Sequence, residues 1–165
     1  MPGRSWENPL LNRGYRDILC ELSAQRVEYL VVGAFALAAH GLPRATGDID
    51  VWVRASADNA PRVAAALAAF GAPVDGISVS DFAAPGSVVQ LGVAPCRIDI
   101  LTQIDGLTFD EAWPCRMEVV IGDLTVPVLS RDHLIRNKQA SGRPKDRADV
   151  QALRGTGQSV QGPRS

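Results

Sequence analysis

The stretch VGAFALAAHGLPRATGDIDV, residues 32–51, decides the fold of this chain and contains its first candidate site. A β-branched run over 28–32 leads into it and predicts a buried strand, which Gly33 ends. The Ala-rich segment 34–40 predicts a helix, and the strict alternation of 48–54 predicts a second strand. This strand–helix–strand order is typical of the start of an α/β or α+β sheet.

Two carboxylates occur in the second predicted strand, one residue apart. Alternation places Asp48 and Asp50 on one face, while Ile49 and Val51 point the other way into apolar packing. The two carboxylates repel each other unless a cation lies between them, and Mg²⁺ prefers hard oxygen ligands. The alternative interpretation is an exposed strand edge that carries two solvated aspartates.

Further along the chain, Asp99 lies between two isoleucines in a predicted strand over 96–102. A carboxylate at the centre of a strand is costly to bury unless it is paired or binds a metal. If this strand lies beside 48–54, Asp99 completes a cluster of carboxylates. The alternatives are an edge position or an ion pair with Arg97 or another neighbour.

The turn after the first strand is a candidate anion site. Gly33-Ala34 begins a predicted helix, and such a turn presents backbone N–H groups to an anion. A glycine also simply ends many strands, so this feature by itself is weak evidence.

The remaining elements follow from periodicity and from turn residues. They are a helix over 14–27, a helix from Ser56 or Asp58 to Gly71, an irregular segment over 72–86 with a turn at Ser80–Ala84, strands over 87–93 and 96–102 joined at Ala94-Pro95, a short helix over 108–115, a hairpin of 117–121 and 124–128, a helix from Ser130 to Ala140, and a last helix over Lys145–Leu153. We therefore expect an extension over 1–13, one domain over 14–154 and a flexible tail over 155–165.

Composition limits the possible classes of protein. The chain has 165 residues, 46% of them hydrophobic, which suits one globular domain. The longest apolar run, over 29–39, is far shorter than the roughly 20 residues of a membrane span, and the N-terminus has no apolar signal region. Three cysteines without a CxxC motif predict small buried side chains in a reducing cytoplasm.

Charge is distributed unevenly along the chain. The net charge of −1 argues against a DNA-binding module and against nucleic acid bound over the whole surface. Residues 131–154, however, carry seven basic side chains against three acidic ones. This favours an anionic ligand held near the carboxylates, and the alternative is a solvated helix face.

Three short motifs, taken in order, resemble those of the DNA polymerase β-like nucleotidyltransferase superfamily. They are Val32-Gly33-Ala34, Asp48-Ile49-Asp50 and Ile98-Asp99-Ile100. The stretches from His40 to Asp50 and from Leu134 to Asp149 are similar to the small bacterial members of this superfamily, which include toxin, antitoxin and abortive-infection proteins. The resemblance extends over about residues 14–154.

The resemblance implies a nucleotidyltransferase-like fold, with a small mixed sheet and helices packed on it. It implies that Asp48 and Asp50 hold two Mg²⁺ ions, with Mn²⁺ as a substitute. Asp99 then ligates one ion and helps to activate the acceptor hydroxyl.

The resemblance also implies a set of nucleotide-binding residues. Pyrophosphate leaves near Gly33 and Ala34, and Lys138 is the candidate cation that faces it across the same cleft. A solvated helix lysine is the plainer interpretation of Lys138. Arg44 either contacts phosphate or pins the loop over 41–47, and His40 caps its helix.

The implied activity is transfer of a nucleoside monophosphate from an NTP to a hydroxyl of RNA, protein or a small molecule such as an aminoglycoside. The superfamily usually has Gly-Gly or Gly-Ser where this chain has Gly33-Ala34. Alanine keeps the backbone N–H but supplies no hydroxyl for the triphosphate. The alternative is therefore a non-catalytic nucleotidyltransferase-like binding protein or an antitoxin-type partner of a cognate toxin.

Overall fold

The structure is a computed structural model that describes residues 12–42, 44 and 46–160, with the backbone alone for 157–160. Six strands form its sheet: β1 (Tyr29–Val32), β2 (Asp48–Val53), β3 (Val88–Leu91), β4 (Arg97–Leu101), β5 (Met117–Ile121) and β6 (Leu124–Val128). The α-helices in the described part of the chain are α1 (Arg13–Ala24), α2 (Gly33–Ala39), α3 (Asn59–Phe70), α4 (Phe109–Ala112), α5 (Arg131–Ser141) and α6 (Pro144–Val160).

The sheet is mixed, with the strand order β3-β4-β2-β1-β6-β5. Strand β2 pairs antiparallel with β1 and parallel with β4, so the two strands that carry aspartates are neighbours. Strand β6 pairs parallel with β1, and the hairpins β3–β4 and β5–β6 complete the two sides. The expected fold class, a small mixed sheet with helices packed on it, is confirmed.

Helix ends follow the capping chemistry of the sequence. Ser56, one of two candidate caps for α3, accepts a hydrogen bond from the Asn59 backbone, whereas Asp58 makes no side-chain cap. Gly71 ends α3 in the left-handed conformation, and the Ser130 hydroxyl accepts from the His133 backbone at the start of α5.

The core fixes which face of β2 is free for a site. Ile49 and Val51 are fully buried, in one apolar cluster with residues of the packed helices α1 and α3. Since side chains alternate along a strand, Asp48 and Asp50 lie on the opposite face. Burial of the isoleucine face therefore holds both carboxylates in register toward one side of the sheet.

The structure corrects several expectations. Helix α6 continues to Val160 instead of ending at Leu153, and the short turn in the irregular segment spans Val79–Phe82. Cys96 and Cys115 are exposed, so the expected burial of the cysteines was wrong for both. Residues 1–11 and 161–165 lie outside the described residues. Every helix in the described part is too short or too polar to cross a bilayer.

Candidate functional site

A cavity of about 630 Å³ lies where β1, β2 and β4 meet the start of α2 and the helices α5 and α6. This volume is in the range of pockets that bind small ligands. Aspartates of β2 and β4 line one part of the cavity, and basic side chains of the loop before β2 and of α5 and α6 line another. Both charge types expected from the sequence therefore meet in one place.

Strand register brings the aspartates together. In the parallel pair β2–β4, Asp50 lies opposite Asp99, and Asp48 lies opposite Arg97. One carboxylate oxygen from each of Asp48, Asp50 and Asp99 lies within 4.8 Å of the other two. These three residues are called the triad below. The sequence prediction that Asp99 completes a cluster is confirmed.

The close approach of Gly33 to the Asp50 carboxylate leaves no room for a side chain at position 33. Its φ of +68° is in the left-handed region, which favours glycine. A Cβ atom placed on Gly33 would lie 2.3 Å from Oδ2 of Asp50 and 3.2 Å from its Cγ. The backbone of the β1–α2 turn thus approaches the Asp50 carboxylate too closely for any side chain at this position.

Arg97 pairs with two members of the triad. Its Nη2 lies 2.6 Å from Oδ2 of Asp48, and its Nε lies 3.1 Å from Oδ1 of Asp99. Asp48 also accepts a hydrogen bond of 3.0 Å from the Thr46 hydroxyl. Asp48 and Asp99 therefore share the single positive charge of one guanidinium, and Asp50 has no ion pair with it.

The pKa of Asp50 reflects this position. Burial raises it first, and the charges of Asp48 and Asp99 raise it further, to about 7 against an ordinary 3.8. The positive charge of Arg97 lowers it only in part. Near neutral pH, Asp50 is thus a carboxyl that a second cation would stabilise in its ionised form.

The donor set of the triad fits a hard divalent cation. Mg²⁺ takes carboxylate oxygens at about 2.1 Å, so two ligands on opposite sides of one ion lie about 4.2 Å apart. The separations within the triad, at most 4.8 Å, are close to this value. Asp50, short of positive charge, is the residue that most favours such an ion.

The second charged group at the cavity is built around Lys138. Its Nζ lies 3.3 Å from Asp146 and 3.2 Å from Asp149, and all three side chains are buried. Arg143 pairs with Asp146 at 3.1 Å, and Arg44 pairs with Asp149 at 2.5 Å. These five residues are called the lysine network below.

The lysine network has ample positive charge. Burial would raise the pKa of Asp146, but hydrogen bonds from Ser141 and Arg143 and the charge of Lys138 bring it down to about 2. Lys138 lines the same cavity as Asp48, as expected from the sequence, but its ammonium group is already paired. Arg44 ties the loop before β2 to α6, the structural role that the sequence left as one of two options.

Solved structures of known proteins share this architecture. TM1012 of Thermotoga maritima, provisionally assigned as a nucleotidyltransferase, has a TM-score of 0.58 and 18% identity over 90% of this chain and 92% of its own. The antibiotic-resistance factor ANT(2'')-Ia has a TM-score of 0.53 and 14% identity over 89% and 82%. An antigenic nucleotidyltransferase-like protein of Paracoccidioides brasiliensis has a TM-score of 0.51 and 17% identity over 90% and 76%. The chain has the nucleotidyltransferase fold.

Comparisons by sequence give no match. No family model matches the chain. No curated protein matches it significantly. The nucleotidyltransferase fold is therefore supported by structure and by the order of the three motifs, while overall sequence similarity is low.

Some residues of the site on this nucleotidyltransferase fold were missed by sequence reasoning. Arg97 was considered only as a partner of Asp99, and its contact with Asp48 depends on the β2–β4 register. Thr46 was not considered as a partner of Asp48, although it lies two residues away. His40 was expected to cap α2, and its backbone does so, while its ring hydrogen-bonds the Leu129 carbonyl at 2.8 Å.

Proposed function

We propose that this protein is a metal-dependent nucleotidyltransferase that moves a nucleoside monophosphate from an NTP to a hydroxyl group. The observation that carries the proposal is the triad on adjacent strands of a nucleotidyltransferase fold, with carboxylate oxygens within 4.8 Å of one another at a cavity edge. Three carboxylates that share one guanidinium have too little positive charge, and this is the feature expected of a site for divalent cations and phosphates.

The residues of the triad have separate roles in this proposal. Asp48 and Asp50 would hold two Mg²⁺ ions, for which Mn²⁺ can substitute. When bound, the ions lower the pKa of the acceptor hydroxyl and neutralise charge at the α-phosphate. Asp99, the most buried of the three, would hold one ion and orient the acceptor. The acceptor hydroxyl, which Asp99 would help to activate, gives up its proton to solvent. Its oxygen bonds to the α-phosphorus, the bond from that phosphorus to the oxygen of the β-phosphate breaks, and pyrophosphate leaves.

The remaining lining of the cavity would receive the triphosphate. Backbone N–H groups of Gly33 and Ala34 are proposed to contact phosphate oxygens, because both residues line the cavity beside the triad. Lys138 and Arg44 are proposed to supply positive charge from the lysine network, in which three cations face two carboxylates. Cationic side chains near the phosphates stabilise the negative charge that leaves with pyrophosphate.

The proposal also includes the class of acceptor, the subgroup to which the protein belongs and its location. RNA, protein and a small molecule remain candidate acceptors, and the likeness to the antibiotic-resistance factor ANT(2'')-Ia supports the small-molecule class. Membership of the toxin–antitoxin subgroup, with a cognate partner protein, a bacterial source and a cytoplasmic location, stays a prediction from the sequence.

One observation favours a second function, a non-catalytic nucleotide-binding protein. Ala34 stands where the superfamily usually has glycine or serine, so no hydroxyl is available at this point of the cavity. Backbone contacts to phosphate survive this change, whereas a side-chain contact does not. Binding without transfer would be the signature of this alternative.

The test is incubation with each α-labelled NTP and Mg²⁺, together with total cellular RNA, total protein or an aminoglycoside panel. We expect label transfer to one acceptor class by the wild type and none by Asp99→Asn. Asp123→Asn, an exposed aspartate that pairs with Arg16 far along the chain, is the matched control. No transfer, with a melting temperature that Mg²⁺ and NTP still raise, would support the binding protein. No transfer and no thermal shift would exclude both functions.

A further inference from the structure

Arg97 contacts carboxylate oxygens of two triad members, Asp48 and Asp99. Its guanidinium contacts Oδ2 of Asp48 at 2.6 Å and both oxygens of Asp99, at 3.1 and 3.2 Å. The Arg97 side chain is 36% exposed, whereas that of Asp99 is 9% exposed. The cation is therefore the more accessible partner of the pair.

The same carboxylate oxygens would be needed by a divalent cation. A guanidinium fork and an ion at about 2.1 Å compete for the same lone pairs, and two positive charges in one small cluster repel each other. Bidentate contacts of this kind are also strong, because both partners are charged. In the metal-free protein, Arg97 thus stabilises the arrangement of Asp48 and Asp99 and opposes the entry of metal alone.

Arg97 has a second partner available once it leaves the triad. It lines the cavity that also contains Lys138, Arg143 and Lys145, where we place the triphosphate. The planar guanidinium matches two phosphate oxygens as well as it matches a carboxylate. A shift from the aspartates to a phosphate would preserve its ion pair and free the metal ligands at the same time.

We propose that Arg97 couples metal binding to nucleotide binding, by pairing with Asp48 and Asp99 in the metal-free protein and with the nucleotide phosphates when a divalent cation takes these carboxylates. This inference rests on the proposed function for the identity of the nucleotide. It gives Arg97, which lies outside the three motifs quoted from the sequence, a role in binding both the metal ion and the nucleotide. Metal and nucleotide then favour the same state of Arg97, so each promotes binding of the other.

Two titrations with Arg97→Gln test the coupling. The first measures Mn²⁺ alone by electron paramagnetic resonance, and the second measures a non-hydrolysable NTP analogue at saturating Mn²⁺ by calorimetry. We expect Arg97→Gln to bind Mn²⁺ alone ~5- to 150-fold more tightly than the wild type, the usual range of coupling between sites. We expect it to bind the Mn²⁺–analogue complex roughly tenfold more weakly, because a charged hydrogen-bond partner is lost.

The opposite signs of the two changes distinguish the proposal from simpler roles. An Arg97 that only supports the fold would weaken both affinities, and an Arg97 that only blocks the site would strengthen both, so either result overturns the proposal. Arg16→Gln, which removes an arginine from an exposed pair with Asp123, is the control and should change neither affinity. If Arg97→Gln fails to fold, Arg97→Lys keeps the charge without the bidentate fork and should shift both affinities in the same directions by less.

The inference and the proposed function fail in different ways. If Arg97→Gln binds Mn²⁺ alone more tightly and the Mn²⁺–analogue complex more weakly, but the wild type transfers no nucleotide, the proposed function is overturned and the coupling is kept. Nucleotidyl transfer by the wild type, with an unchanged affinity of Arg97→Gln for Mn²⁺ alone, would overturn the coupling and keep the proposed function.

Discussion

The triad and the lysine network bring carboxylates to the same cavity, but the charges around them differ. In the triad, three carboxylates face one guanidinium, that of Arg97. In the lysine network, two carboxylates face Lys138, Arg44 and Arg143. Burial and the charges of Asp48 and Asp99 raise the pKa of Asp50 to about 7. Burial also acts to raise the pKa of Asp146, but hydrogen bonds from Ser141 and Arg143 and the charge of Lys138 lower it to about 2.

The triad has fewer cationic partners than carboxylates and can therefore take up a cation, whereas the carboxylates of the lysine network already have enough partners. Buried carboxylates with sufficient partners stabilise the fold, as Asp146 does by joining α6 to α5. Buried carboxylates with too few partners reduce the stability of the metal-free protein, and they gain most from a bound cation. The comparison therefore assigns binding of the divalent cation to the triad, and it assigns the larger contribution to stability to the lysine network.

The largest effect is expected from the lysine network. Lys138→Met leaves Asp146 and Asp149 buried without their shared cation, so we expect a loss of about 3–5 kcal/mol in the free energy of unfolding. Chemical denaturation measures this loss. Lys145→Met, an exposed lysine at the same cavity, is the control and should change stability by less than about 0.5 kcal/mol. A Lys138 variant as stable as the control would show that the network is not structural.

The next effect is expected at the turn beside the triad. Gly33→Ala places a Cβ against the Asp50 carboxylate, so we expect a loss of about 1–3 kcal/mol and displacement of Asp50 from the triad. Gly142→Ala is the matched control, because its φ of +66° is nearly the same and nothing lies within 4 Å of an added Cβ. Both variants carry backbone strain, and only Gly33→Ala should lose Mn²⁺ affinity. Equal Mn²⁺ affinities would contradict the steric argument.

Asp146→Asn tests the compensated carboxylate. Its folded pKa of about 2 lies below the ordinary 3.8, so the ionised group stabilises the fold above pH 3.8 and loses this effect as the pH falls toward 2. We expect the variant to be less stable than the wild type by about 1–3 kcal/mol at pH 7, with a smaller difference near pH 2. Urea denaturation at both pH values measures how the stability difference between variant and wild type depends on pH. A stability difference that is the same at both pH values would count against the ion pairs.

Asp50→Asn should have the opposite sign in metal-free buffer with EDTA. The folded pKa of about 7 lies above the ordinary 3.8, so wild-type stability falls as the pH rises from about 4 to about 7. The variant lacks this titration and should gain up to about 2 kcal/mol over the wild type across that window, since partial exposure screens the charge. Asp48→Asn removes one charge that raises the pKa of Asp50 but also breaks the ion pair with Arg97, so it should show a smaller gain. Equal gains in both variants would contradict the comparison.

The sequence predicted which aspartates share a strand face better than it predicted which strands lie side by side. Alternation placed Asp48 and Asp50 on one face of β2, because one face of the strand is apolar. The neighbour relation of Asp99 and the contact of Arg97 with Asp48 depend on strand order and register, which a single sequence does not define.

The end of the last helix was missed for a similar reason. The polar, glycine-containing composition of residues 155–165 predicted a flexible tail there, and the helix was expected to end at Leu153. In the structure the helix continues, and the Thr156 methyl lies 3.8 Å from the position of a Cβ on Gly41. Packing beside the C-terminal end of α2 thus supplies a contact that local sequence propensity does not include.

The central claim is that the triad, and not the lysine network, binds the divalent cation. The most direct measurement is an anomalous difference map at the manganese edge, from crystals grown with Mn²⁺ and a non-hydrolysable NTP analogue. The account predicts a manganese peak among Asp48, Asp50 and Asp99, with Lys138 still paired to Asp146 and Asp149. Manganese bound at Asp146 and Asp149 with the triad empty, or no manganese at either group, would contradict it.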